Sequence, residues 1–185
     1  RRMLVAALSA VSIAGAARVR PFEELTPALI KAIQAGDAIA MRKLLEEGAN
    51  PNARDGNGTP ALMNAALYGG AMHMKLLIER GADVNARNAM DATALLWAAG
   101  DASKARLLIE KGAEVNAQSK LGRTPLMVAA AVAGNAPTVK LLLAKGAKVD
   151  VRDNIAPIPI IPVGGGKGTA LMDAARTGDE ASVKM

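Results

Sequence analysis

The chain of 185 residues has no cysteine, one histidine (His73) and three aromatic residues, Phe22, Tyr68 and Trp97. Each scarcity removes a class of chemistry. Without cysteine these residues hold no disulfide, thiolate metal site, cysteine nucleophile or c-type haem attachment, and a lone histidine excludes an all-histidine metal site. No metal and no cofactor are expected. The shortage of aromatics constrains the interior as well. A hydrophobic fraction of 51% is too high for a disordered chain, and the length suits one domain. The core must therefore be built from Ala, Leu, Val, Ile and Met, which favours helices packed closely on small residues.

The first residues differ from the rest. Arg1 and Arg2 precede an apolar run at residues 3–14, and Ala14-Gly15-Ala16 offers a small-x-small cleavage pattern, so residues 1–16 read as a signal peptide and 17–24 as a linker. The run is too short and too rich in Ala and Gly to span ~30 Å of hydrocarbon comfortably, which makes a retained anchor or a buried N-terminal helix the weaker reading. Arg1-Arg2-Met3-Leu4-Val5 also faintly resembles a twin-arginine signal, so the export route stays open. No cysteine follows the run to carry a lipid. The expectation is a soluble protein starting near Ala17, in a bacterial periplasm or secreted, with no stable membrane insertion once the leader is removed. Losing Arg1 and Arg2 lowers the net charge from +6 to +4. Locally, Lys104, Arg106, Lys111, Lys120, Arg123, Lys140, Lys145 and Lys148 face Glu110 and Glu114, a bias that favours anionic partners by long-range attraction. No aromatic side chain interleaves with them to stack on bases, so no nucleic acid is expected. A solvated face is the expectation for these charges.

Internal repetition organises what remains. "LLEEGANPNARDGNG", "LIERGADVNARNAMD", "LIEKGAEVNAQSKLG" and "LLAKGAKVDVRDN" share one frame, with Gly48, Gly81, Gly112 and Gly146 spaced 33, 31 and 34 residues apart. A leucine recurs at Leu29, Leu62, Leu95, Leu126 and Leu171, and alanine pairs follow the last four at Ala65-Ala66, Ala98-Ala99, Ala129-Ala130 and Ala174-Ala175. Each unit reads as two short antiparallel helices and an extended finger. "TPLMVAAAVAG", residues 124–134, opens with a threonine that can cap free amides and a proline in the first turn. "HMKLLIERG", residues 73–81, carries leucines on one stripe and charges on the other, and stops at a glycine suited to a left-handed C-cap. No unit can bury its own stripe, so units must stack.

"GRTPLMVAAAVAG", "VKLLLAKGAKVD" and "HMKLLIERGADVNARN" resemble ankyrin repeats over residues 25–185. The resemblance implies an all-α solenoid of helix-turn-helix units with extended hairpin fingers. Its units fall at about 25–53, 54–86, 87–117, 118–151 and 152–185, the last truncated. The family's usual histidine after the first-helix leucine is replaced by Ile30, Met63, Leu96, Met127 and Met172. The hydrogen bond that ties the helix start to the neighbouring hairpin in the family is therefore expected to be absent, and packing must take its place.

"PVGGGKGTALMDAA", residues 162–175, looks at first like a phosphate-binding loop. The frame says otherwise. From C-cap glycine to the next leucine the spacing is 14 for Gly48–Leu62, Gly81–Leu95 and Gly112–Leu126, but 25 for Gly146–Leu171. The excess is an insertion within 155–166, and Thr169 begins the fifth unit. The G-x-x-x-x-G-K-[ST] pattern also fails, with Ile161 at its first glycine and Gly168 after Lys167. Pro157, Pro159 and Pro162 alternate with Ile158, Ile160, Ile161 and Val163, which favours extended backbone. Such a finger either folds back on its own repeat or contacts a partner.

No constellation supports catalysis. Ser103, Ser119 and Ser182 have no histidine at comparable repeat positions, His73 reads as solvent-facing or turn-bonded, and the aspartates recur at turns where local hydrogen bonding explains them. The chain is expected to be a monomeric, non-enzymatic module that binds a protein partner. In an ankyrin-like stack the fingers and first helices line the concave side, so the candidate contact residues are Asn57, Asn64, Tyr68, Met90, Trp97, Leu121, Ile158 and Ile160. Trp97 either anchors a partner or fills space left by a shortened helix, since Leu95–Gly112 spans 17 residues where Leu62–Gly81 spans 19. Two other readings stand beside this one. The sequence lacks an initiator methionine and stops inside the fifth unit, which leaves room for an enzyme or cytochrome to which the repeats are an accessory. The repeats would otherwise serve as a structural spacer.

Overall fold

The computed structural model describes residues 22–154 and 169–170. The expected leader at 1–16, the insertion at 155–166 with Ile158 and Ile160, and the fifth unit beyond residue 170 lie outside them. Among the described residues there are eight helices and no strand: α1 (Phe22–Gln34), α2 (Ala38–Glu46), α3 (Ala61–Tyr68), α4 (Ala71–Glu79), α5 (Ala94–Ala98), α6 (Ala102–Glu110), α7 (Pro125–Ala130) and α8 (Ala136–Ala144). Consecutive helices pair into units. First helices α1, α3, α5 and α7 pack side by side in one layer, and second helices α2, α4, α6 and α8 in another. This is the all-α solenoid that the repeat frame implies.

The frame residues form the core. Leu29, Leu62, Leu95 and Leu126 are buried, as are the pairs Ala65-Ala66, Ala98-Ala99 and Ala129-Ala130. Met41, Met74, Leu77, Leu108 and Leu142 meet them from the second helices. Alanine at the pair positions lets neighbouring first helices approach closely, so the core needs no large aromatic side chain. Ala170, one residue before the fifth frame leucine, is buried in the same core.

Element boundaries differ from expectation in two places. α1 starts at Phe22, inside the stretch assigned to the linker, and carries Pro27 within it. Pro27 stands at the frame place of Pro60, the residue before α3, so the residues ahead of Pro27 extend the repeat helix backwards at the cost of one missing N–H. In unit four Thr124 is the N-cap, its side chain accepting from Met127 N at 3.3 Å, and the helix ends at Ala130 rather than running to Gly134. α5 has five residues and its N-cap Thr93 makes no such bond. The buried Thr93 Oγ1 has no hydrogen-bond partner among the described residues. The second helices end as expected, with Gly48, Gly81, Gly112 and Gly146 at φ of 97°, 89°, 87° and 81°.

Two sets of polar ties run between units. In the fingers, Asn52 Nδ2 donates to Gly81 O and its Oδ1 accepts from Asp83 N. Asn85 repeats this with Gly112 O and Glu114 N, and Asn116 with Gly146 O and Lys148 N, all at 2.7–3.0 Å. At the ends of the first helices, carbonyls left free by helix termination receive donors from the following unit. Lys104 Nζ donates to Ala66 O and Asn135 Nδ2 to Ala99 O, each at 2.8 Å. His73 Nδ1 accepts from Gly70 N, so Nε2 carries the proton and donates to Gly36 O at 3.0 Å. His73 is thus bonded to its own turn and to the preceding unit. Lys104 is not a simple solvated charge.

Asn85→Ala removes one donor and one acceptor between units two and three. It is expected to lower unfolding stability by about 1–2 kcal/mol, read from the denaturant midpoint at unchanged slope. Lys75→Ala, which deletes an exposed ion pair with Glu79 at 3.8 Å, should cost no more than about 0.5 kcal/mol.

Candidate partner-binding surface

The fingers are built on short polar turns. Asp55 Oδ1 accepts from Asn57 N and Thr59 N, each at 2.9 Å, and Asn88 Oδ1 accepts from Met90 N and Ala92 N at 2.9 and 3.1 Å. The turns lift Asn57, Met90 and Leu121 to successive fingertips, where all three are exposed. Backbone bonds join adjacent tips, from Lys120 N to Met90 O at 2.9 Å and from Asn154 N to Leu121 O at 2.8 Å. Gly122, at φ 74°, is held between them: a Cβ there would lie 3.1 Å from Asp153 Cα. Beside it the buried Asp153 pairs with Arg123 at 3.6 Å.

Next to the fingers stand the first helices. Trp97 is 37% exposed although the other four residues of α5 are buried, and Tyr68 is 54% exposed at the end of α3. Asn64 must be removed from the contact surface. It is 2% exposed, and its Nδ2 donates to Asp55 Oδ2 at 3.0 Å while reaching Thr59 O and Pro60 O at 3.4 Å. The side chain is spent holding the start of α3 to its own finger. Packing alone therefore does not make that tie in unit two, contrary to expectation. Met63 fills the family histidine's place in the core, and the polar bond comes from the residue after it. Ile158 and Ile160 lie outside the described residues.

Several surface residues escaped the sequence reading. Leu67, Met72 and Val132 are exposed. Val132 stands six residues after Leu126, as Tyr68 does after Leu62, so the repeat register was the signal that could have found it. An open groove of about 510 Å³ also runs between α1 and the first finger, lined by Ile30, Lys31, Gln34, Arg54, Asp55 and Asn57. Arg54 and Arg87 brace the fingers from within: Arg54 Nη1 donates to Gly58 O and Arg87 O, and Arg87 Nη1 to Asp91 O and Gln118 O. Among the described residues no three histidine, aspartate or glutamate side chains gather as metal ligands.

The pKa of Asp55 is lowered by its surroundings. Burial pushes its carboxyl up, but the Asn64 amide, the Thr59 and Asn57 backbone amides and the Thr59 side chain together outweigh burial and hold it below its ordinary value. A carboxyl lowered by folding stabilises the fold above its unfolded pKa and loses that contribution as pH falls through the folded value. Asp55→Asn is expected to cost about 1 kcal/mol at pH 7. The gap between wild type and variant should shrink as pH drops below about 4, followed by urea titrations across that range. A gap independent of pH would remove the charge from the account.

Comparison with known proteins agrees with this geometry. A family model described as ankyrin repeats (3 copies) matches residues 29–119, 75–153 and 100–185. A search of curated proteins gives no match. The family matches together run from residue 29 to residue 185, well over half of the chain, and the protein belongs to the ankyrin-repeat family.

Proposed function

We propose that this chain is the recognition module of an exported protein: a monomer that grips a protein partner with its first helices and fingertips and performs no chemistry of its own. Ankyrin repeats generally mediate protein–protein contacts. The observation that carries the finer reading is Trp97. A side chain that merely filled the gap beside a short helix would be covered, whereas this indole is more than a third exposed on a helix whose remaining residues are buried. Tyr68, Met90 and Leu121 add exposed apolar area on the first-helix ends and fingertips, and Asn57 adds a polar one. Large amphipathic aromatics with this exposure are favoured as anchors because few rotamers are lost when they bind.

Export rests on the leader: two arginines, an apolar run and a small-x-small site at residues 14–16. In a bacterial host, an initiator methionine followed by residues 1–185 should yield a periplasmic protein whose N-terminus is Ala17, read by intact mass. A cytoplasmic product that keeps Arg1 would count against export.

The binding surface is tested by capture from a bacterial envelope extract with the chain starting at Ala17, beside Trp97→Ala and Tyr68→Ala. A specifically retained protein should bind roughly tenfold or more weakly to Trp97→Ala, with circular dichroism unchanged. Capture that ignores both substitutions would move the site off this face.

A further inference from the structure

The structure divides the basic segment that the sequence presents as one block. Lys104 and Arg123 are committed inside the fold, and Lys120 sits at a fingertip. The others share one edge of the second-helix layer, and the frame shows why they matter. Six residues before each C-cap glycine stands an exposed cation: Arg42, Lys75, Arg106 and Lys140. Two residues before it the first three units carry Glu46, Glu79 and Glu110, and two residues after it Asn50, Asp83 and Glu114. Those carboxylates neutralise the edge. Lys75 pairs with Glu79 at 3.8 Å, Arg80 with Glu46 at 3.5 Å, and Arg87 with Glu114 at 2.7 Å.

Unit four breaks this pattern at both places. Ala144 stands where the others have glutamate, and Lys148 where they have Asn, Asp or Glu. α6 and α8 pack side by side, and the two bonds of Asn116 to Gly146 O and Lys148 N lock the register between them. Arg106, Lys111, Lys140, Lys145 and Lys148 therefore form a row of exposed cations, with Glu110 and Asp150 as the carboxylates along it and Glu114 held by Arg87. Helix C-termini favour a cation in the last turn. That accounts for Lys111 and Lys145 but not for Lys140, in mid-helix, or Lys148, beyond the end.

We propose that this edge of units three and four binds an acidic segment of a protein partner, a run of aspartates and glutamates laid along the lysine row. It is a second surface, on the layer opposite Trp97, and does not depend on the first-helix face. Charge complementarity selects the chemistry. No aromatic side chain stands among the cations to stack a base. Of the large exposed apolar residues, Leu67, Tyr68 and Trp97 belong to first helices, Met90 and Leu121 to fingertips and Val132 to the turn after α7, while Ile39 and Met72 stand at the starts of α2 and α4 in units one and two; beside the row stands Val149 alone among the described residues. The row thus offers charge with little apolar surface to enter a lipid headgroup layer.

The test uses the full chain and a fluorescein-labelled nine-residue peptide of alternating glutamate and aspartate, followed by anisotropy at about 50 and 150 mM salt, where screening differs. The edge is altered by Ala144→Glu with Lys148→Asp, which restores residues that other units carry at those places and so preserves the fold. Ile39→Glu with Lys43→Glu makes the same change in net charge on α2. Peptide binding should weaken with salt, fall about tenfold or more in the first variant and stay within twofold in the second. Equal losses in both variants would reduce the effect to net charge and overturn the proposal, as would no loss in the first. It would equally fall if phosphatidylglycerol vesicles, and not the peptide, bound the chain in a way that the first variant abolished.

Discussion

Each described unit has an apolar stripe on both of its helices and, among the described residues, no third element to cover it, so burial happens between units rather than within them. The alanine pairs set the distance at which it happens. Ala65-Ala66, Ala98-Ala99 and Ala129-Ala130 leave room for the frame leucines of adjacent first helices to meet, and a larger side chain there would hold the layers apart and open voids. Three aromatic residues in 185 are enough for the same reason. A core assembled by repetition of small spacers and leucines has no large gap for an indole to fill, which leaves Trp97 to stand at the surface.

Polar ties follow from that stacking. Once units lie in register, the carbonyls of Gly112, Ala66 and Gly36 at helix ends come opposite a neighbouring unit, and asparagine, lysine and histidine side chains supply the donors. An orphan carbonyl between packed layers is costly and a satisfied one is worth about 1 kcal/mol, so these bonds add modest stability while fixing register. The fingers gain from it: their Asx-type turns and bracing arginines hold the tips as a joined edge.

Register also sorts the surface. Residues at one frame position recur along one edge of the solenoid, so a departure in a single unit stands out against its neighbours. Trp97 is such a departure on the first-helix layer, where the same frame place holds Lys31, Asn64 and Val128. Ala144 and Lys148 are departures on the second-helix layer. The two faces are chemically different, one carrying exposed apolar side chains on first helices and at the tips of Met90 and Leu121, the other mainly cationic in units three and four, because the frame spends its leucines inward and its charges on the second helices.

The architecture was legible in the sequence because its determinants are local and repeated. Thr124 before a proline, glycine after each leucine-rich helix and a leucine 14 residues after Gly48, Gly81 and Gly112 each act through their own turn, and the helices and left-handed caps appear where those residues stand. Individual surface assignments were not legible in the same way. Asn64 looked like a free contact residue, yet a carboxylate nine positions earlier and the closed finger take its amide into the interior. Lys104 read as one solvated charge among eight, yet the carbonyl it meets belongs to Ala66 in the preceding unit. The sequence by itself determined the unit, its period and its inward face, since these rest on local propensity and hydrophobic pattern. Which polar side chains face a partner and which are consumed in holding the stack was decided by tertiary structure alone, because it depends on what the neighbouring unit brings within hydrogen-bonding reach.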